Sequence, residues 1–306
     1  MTAASVVFLG SGPVAAESLR LLQRSFTVEA VITKSTTEQM LKDAAPEGAP
    51  VLIANTKKEL DSIIAAEHFS SPVGVVIDYG VIISREVIDS FAKGIINSHF
   101  SLLPEWRGAD PITFSILSGQ RETGVSLMLI NEALDEGDLL AQAPFVLERS
   151  ITTPQLTQDL IELSDQMLHS IVPDYLAGRI EPANQLSATI ASSSVPTYSR
   201  KLTKADGVLD FTKPATQLER EVRAFAEWPK SRTTIADRDV VIMSTKVVDL
   251  QIGDPGEVVM LDKRLLIQTA SACLEIVSLK PAGKKEMTAA AFLAGYGHAV
   301  PKITNL

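Results

Sequence analysis

Apolar positions in the first half of the chain follow two alternating periods. Val6-Val7-Phe8-Leu9-Gly10 is a short apolar run closed by glycine, after which Ala15, Ala16, Leu19, Leu21 and Leu22 recur at helical spacing. The pair of signals then repeats, with strand-like 28–33, 51–54, 73–77 and 95–97 interleaved with helix-like 57–67 and 85–92. Strands separated by helices need crossover connections, so this half predicts an α/β unit with a mostly parallel sheet and helices on both faces. Strand-like 124–130 and 139–147 and a helix-like 153–176 complete it.

Periodicity fails over 180–199, a stretch rich in Ser, Thr, Ala and Pro that includes Ser192-Ser193-Ser194-Val195-Pro196 and reads as a linker. Beyond it, 232–236, 240–250, 256–261, 265–269 and 273–280 are short β-rich segments separated by Asp, Gly and Pro, with helix-like 217–226 before them and 289–293 after. Such spacing suggests a small barrel. A length of 306 residues allows two cores. The expected organisation is an α/β domain over 1–185, a linker over 186–202 and a smaller β-rich domain over 203–306.

No apolar run is long enough to span a bilayer, and no basic or Arg-rich leader opens the chain. Cys273 is the only cysteine, which leaves no internal disulfide and no Cys-based zinc site. These features predict a soluble protein of a reducing cytoplasm, with no membrane partner. The net charge of −9 speaks against a polyanionic partner until its distribution is considered. Residues 200–306 hold 16 Lys and Arg against 13 Asp and Glu, leaving 12 against 24 in residues 1–199. The C-terminal third is thus relatively basic, which permits RNA binding without requiring it.

Gly10-Ser11-Gly12-Pro13-Val14-Ala15 fits a loose G-x-G-x-x-A between strand and helix. A nicotinamide-cofactor site also wants an acidic residue ending the second strand, and the chain there reads Val31-Ile32-Thr33-Lys34. The glycines are therefore assigned to a tight turn and close helix–strand packing.

More informative is Gly94-Ile95-Ile96-Asn97-Ser98-His99, an apolar strand turning polar at its end. Side chains alternate along a strand, so Asn97 and His99 project to one side, at the sheet edge where parallel sheets bind ligands. Downstream, Leu134-Asp135-Glu136-Gly137-Asp138 is a carboxylate-rich turn. An amide that donates to an oxyanion, an imidazole that moves a proton and a carboxylate that orients it suit acyl transfer to an amine. On spacing alone, a structural histidine and a solvated or cation-binding Asp-Gly-Asp turn rank above catalysis. His68, His169 and His298 stand alone and are read as structural; with no His-Glu-x-x-His pattern, no metal is expected.

Asn97-Ser98-His99, then Ser101-Leu102-Leu103-Pro104 and Trp106-Arg107-Gly108, resembles the signature of formyltransferases that use 10-formyltetrahydrofolate. Glu122-Thr123-Gly124-Val125 and Leu134 to Asp138 resemble that family's second motif at the expected separation. The resemblance implies a Rossmann-like formyltransferase domain with Asn97, His99 and Asp135 catalytic and with Ser101, Leu102, Leu103 and Pro104 lining the folate site. Tyr198, Lys201-Leu202, Val222-Arg223-Ala224-Phe225, Trp228-Pro229 and Lys280-Pro281-Ala282-Gly283-Lys284-Lys285 with Met287 resemble the second domain of the methionyl-tRNA formyltransferases. That branch implies an OB-like barrel that helps hold tRNA, the folate as formyl donor, initiator methionyl-tRNA as acceptor and a monomer. Amino-sugar nucleotide formyltransferases, which share the catalytic domain, are the alternative. Phe225 and Trp228 are of a type that stacks on bases, but both are expected in the core.

The chain departs from the branch at four places. Lys34–Pro50, where relatives carry a basic, Gly-rich stretch for the tRNA acceptor end, has only Lys34 and Lys42 against Glu38, Asp43 and Glu47. Glu105, Asp110 and Asp78 add negative charge where basic, small and Ala residues are usual.

Overall fold

The computed structural model describes residues 4–187 and 195–303. Part of the expected linker, including Ser192 to Ser194, lies outside them. In chain order the first elements are β1 (Ser5–Gly10), α1 (Gly12–Leu22), β2 (Thr27–Thr33), α2 (Glu38–Ala44), β3 (Val51–Ile53), α3 (Lys57–Glu67), β4 (Val73–Ile77), α4 (Arg85–Asp89) and β5 (Ile95–His99). There follow β6 (Arg107–Gly108), α5 (Pro111–Ser118), β7 (Glu122–Leu129), β8 (Leu139–Val146), α6 (Thr153–Leu176) and β9 (Tyr198–Ser199). Two compact units result. One comprises 1–111, 122–146 and 157–199; the other comprises 112–121, 147–156 and 200–306.

The first unit holds a seven-stranded sheet ordered β3-β2-β1-β4-β5-β7-β8. Its first five strands pair in parallel, whereas β7 runs antiparallel to both β5 and β8. The parallel strands carry a buried apolar cluster with Val7, Leu9, Ile32, Val76 and Ile95 at its heart. Gly10 ends β1 because a Cβ there would sit 2.6 Å from Phe8 Cε1, 2.7 Å from Ala15 Cβ and 2.8 Å from the Ile77 carbonyl. That close approach is the packing role expected for the glycine loop. The 34–50 stretch, for which the sequence gives no helical signal, forms a 3-10 turn at Ser35–Thr37 and the short helix α2. Only Leu41 and Ala44 of α2 are buried, too few repeats to register as a helical period.

In the second unit α7 (Ala215–Ala224) precedes β10 (Ser231–Ile235), β11 (Arg238–Val248), β12 (Val258–Leu261), β13 (Arg264–Gln268) and β14 (Cys273–Pro281). These are the five strands the turn signals marked, joined by β15 (Met287–Thr288), α8 (Ala289–Tyr296) and β16 (Lys302–Ile303). The sheet order is β10-β11-β14-β13-β12-β16, with β15 on β14. Leu218, Val222, Ile242, Leu265, Ile276 and Phe292 form its core. Phe225 is buried as expected, but Trp228 is 55% exposed, a correction to its placement in the core. No described helix is long and apolar enough to cross a membrane.

Candidate active site

The site assembles at the carboxyl end of β5. Asn97 and His99 lie in register with Met128 and Ser126 of β7, while Ser98, between them, turns to the other face and meets the Ser164 hydroxyl at 2.7 Å. Alternation thus puts the amide and the imidazole on one side of the sheet. Asp135 joins them from the turn after β7. Its Oδ1 accepts from Asn97 Nδ2 at 3.4 Å, and its Oδ2 accepts the Gly108 N–H at 2.7 Å and lies 3.8 Å from His99 Nδ1. His99 Nε2 is 3.0 Å from the Trp106 carbonyl. Each ring nitrogen therefore faces an acceptor, one at hydrogen-bond distance and one beyond it. The ring is 93% enclosed, since only 7% of it reaches solvent.

The Asp135 turn is held from behind by residues to which the sequence reading gave no role. Asp135 itself is left-handed at φ 51°, a conformation tolerated in Asp when the surroundings fix it. Gln185, buried, donates from Nε2 to the carbonyls of Asp135 and Gly137, both at 2.8 Å. Arg107, buried too, donates from Nη2 to Gln185 Oε1 at 2.7 Å and pairs through Nη1 with Glu136 at 2.9 Å. Arg107 belongs to the Trp106-Arg107-Gly108 motif, so its presence was readable and its partner was not. Gln185 stood in the aperiodic stretch, where no pattern singles it out.

Ser101, Leu102, Leu103 and Pro104 are all buried. The Leu103 N–H donates to Ser126 Oγ and its carbonyl accepts from Gln142 Nε2, while Gln142 Oε1 is buried with no partner among the described residues. This orphaned acceptor next to the 101–104 segment fits a ring bearing N–H donors.

The acidic departures cluster in part. The Asp78 carboxyl is pushed up to about 6, first by desolvation and then by Asp110, with Lys34 opposing. Lys34 also donates to the Gly80 carbonyl at 3.2 Å, and Lys42 pairs with Glu38, so both cations of the 34–50 stretch are engaged locally. Burial, then Glu122, raises Glu105 as well. A carboxyl whose folded pKa exceeds its unfolded value of 3.8 destabilises the fold once ionised. The penalty is absent below about 3.8, grows towards about 6 and is complete above it. Asp78→Asn should therefore stabilise the protein at pH 7.5 and lose that advantage near pH 4. Solvent reaches the Asp78 side chain, so screening limits the gain to about 1 kcal/mol. Melting temperatures of both proteins across this range check it; an advantage that grows on acidification would contradict the assignment.

Residues 4–172 match the formyl transferase family and 201–297 match the formyl transferase C-terminal domain. The methionyl-tRNA formyltransferase of Chloroflexus aggregans is 34% identical over 98% of this chain and 99% of its own. That of Magnetococcus marinus is 33% identical over 97% of each. Among solved structures, the N-formyltransferase from Helicobacter canadensis in complex with folinic acid and dTDP-3-aminofucose superposes with a TM-score of 0.65 at 17% identity, covering 93% of this chain and all of that one. HypX from Aquifex aeolicus in complex with tetrahydrofolic acid gives 0.63 at 17% identity, over 98% of this chain and 48% of that one. The structural likenesses speak for the fold, and the sequence matches, spanning both units, show that this chain belongs to the formyl transferase family.

Proposed function

We propose that the protein transfers the formyl group of 10-formyltetrahydrofolate to the α-amine of methionine on initiator tRNA, acting as a cytoplasmic monomer. The observation that carries the reading is the meeting of Asn97, His99 and Asp135, which lie 38 positions apart at the widest, around one carboxylate. Similarity to methionyl-tRNA formyltransferases along nearly the whole length selects the acceptor.

The folate supplies the activated formyl carbon. It would lie along the 101–104 segment, where Gln142 Oε1 offers an acceptor to its ring N–H groups. The neutral amine attacks the formyl carbon directly, so no residue need act as nucleophile. Asn97 has two amide hydrogens and spends one on Asp135; the second is available to the oxyanion that forms on the formyl oxygen. His99 accepts the proton shed by the amine on the nitrogen facing Asp135, whose carboxylate steadies the charged ring. The same proton then passes to the departing N10, and the ring is restored.

A second reading, formylation of an amino-sugar nucleotide, is favoured by the acidic Asp78–Asp110 pair and by the absence of spare cations in the 34–50 stretch. Incubating the protein with labelled formyl donor and offering charged initiator tRNA and amino-sugar nucleotides separately decides between them. Label in methionyl-tRNA alone is expected. Label in the sugar alone would reverse the assignment.

A further inference from the structure

The second unit contains a cavity of about 400 Å³ that the formyl-transfer chemistry does not use. Its walls include Phe114, Leu117, Leu202 and Phe225, and its charged lining consists of Arg200, Asp206, Lys213 and Glu221. The four charges cancel in pairs. Arg200 Nη1 donates to Asp206 Oδ2 at 3.0 Å and holds that carboxyl well below the usual range, while Lys213 Nζ lies 2.8 Å from Glu221 Oε1. A strongly anionic or cationic guest therefore finds no uncompensated charge here.

Glu221 is the unusual member. It is 96% enclosed, with 4% of it exposed, on α7 where the helix lines the cavity, a position where an ionised side chain is rare unless fully bonded. Oε1 is well served, accepting from Lys213 and from Gln217 Nε2 at 3.2 Å. Oε2 has no hydrogen-bond partner among the described residues. An orphaned buried acceptor costs about 1–3 kcal/mol, which a guest carrying an N–H donor would recover. The half-buried Lys213 and Gln217 that cover the carboxylate are long and flexible enough to admit one.

The guest thus needs a flat or apolar body for the Phe and Leu walls, no net charge and an N–H donor for Glu221. We propose that this cavity binds a nucleobase with an exocyclic amino group, adenine or cytosine in type, its amine donating to Glu221 Oε2. Carboxylates read that amino group in nucleic acids, and unpaired bases are held between apolar side chains in the same way. The base comes either from an unpaired nucleotide of the tRNA substrate, which rests on the proposed function, or from a free nucleoside, which does not.

The full-length protein is titrated with cytidine, uridine, adenosine and inosine, with binding followed by saturation-transfer NMR. Cytidine or adenosine should bind at least about tenfold tighter than its keto counterpart. Glu221→Gln puts an amide donor where the acceptor was and should shift the preference towards uridine or inosine. Ala205→Phe, a bulky change at an exposed residue of the rim, should abolish nucleoside binding. If Ala205→Phe also raises KM for methionyl-tRNA with KM for the folate unchanged, the base belongs to the substrate; an unchanged KM assigns the site to free nucleosides. Equal binding of all four nucleosides, an unaltered preference in Glu221→Gln, or no binding together with an unchanged tRNA KM in Ala205→Phe would overturn the proposal.

Discussion

Replacing His99 with alanine is expected to lower kcat/KM for methionyl-tRNA formylation by ~2–4 orders of magnitude, the combined scale of proton transfer and charge stabilisation in the transition state. The fold should survive. Among the described residues the His99 ring makes one hydrogen bond, to the Trp106 carbonyl, and its contact with Asp135 at 3.8 Å is too long to add another. Its loss therefore costs about 1 kcal/mol in bonding, plus the packing of an enclosed ring. Steady-state kinetics beside a melting curve separate the two effects: rate should collapse while the melting temperature moves by a few degrees. A variant that retains near-native rate would remove His99 from the chemistry.

Gly137→Ala is expected to lose activity on a comparable scale, by ~10²-fold, although Gly137 touches no reacting atom. A Cβ at this position would lie 1.6 Å from the Leu129 carbonyl oxygen and 2.8 Å from its carbon, both backbone atoms that cannot swing aside. The turn must then shift, which breaks the bonds from Gln185 to the Asp135 and Gly137 carbonyls and draws the Asp135 carboxylate off Asn97 and His99. A misplacement of about 1 Å at a catalytic group is enough for a loss of that size. Gly178→Ala serves as the control, since φ is 71° there but no described residue lies within 4 Å of the added carbon, so only stability should suffer. Equal activity of Gly137→Ala and native protein would show that the turn does not position Asp135.

Much of this was readable from the chain because the parallel strands are buried on both faces. Val6–Gly10 and Val73–Ile77 are unbroken apolar runs, and the helices between them keep their period. The direction of β7 was not readable: six of its eight residues are buried, and such a run looks the same parallel or antiparallel. Asn97 and His99 could be placed on one face by alternation alone. Their meeting with Asp135 needed the resemblance, since a turn 38 residues away can point anywhere until its supports are known. Those supports, Arg107 and Gln185, are single polar residues with no repeat to announce them. Trp228 misled for a related reason: an aromatic beside proline three residues from buried Phe225 has the spacing of a core residue, yet its indole is exposed.

We infer that Asn97, His99 and Asp135 act as one unit on the transferred carbon. Single-turnover formylation of charged initiator tRNA by His99→Ala, Asp135→Ala and the double variant tests it most directly. If His99 works only as Asp135 holds it, the double variant should be little slower than the slower single one, the non-additivity expected of groups that share a step. Losses that multiply, or a double variant as fast as the native protein, would contradict the account.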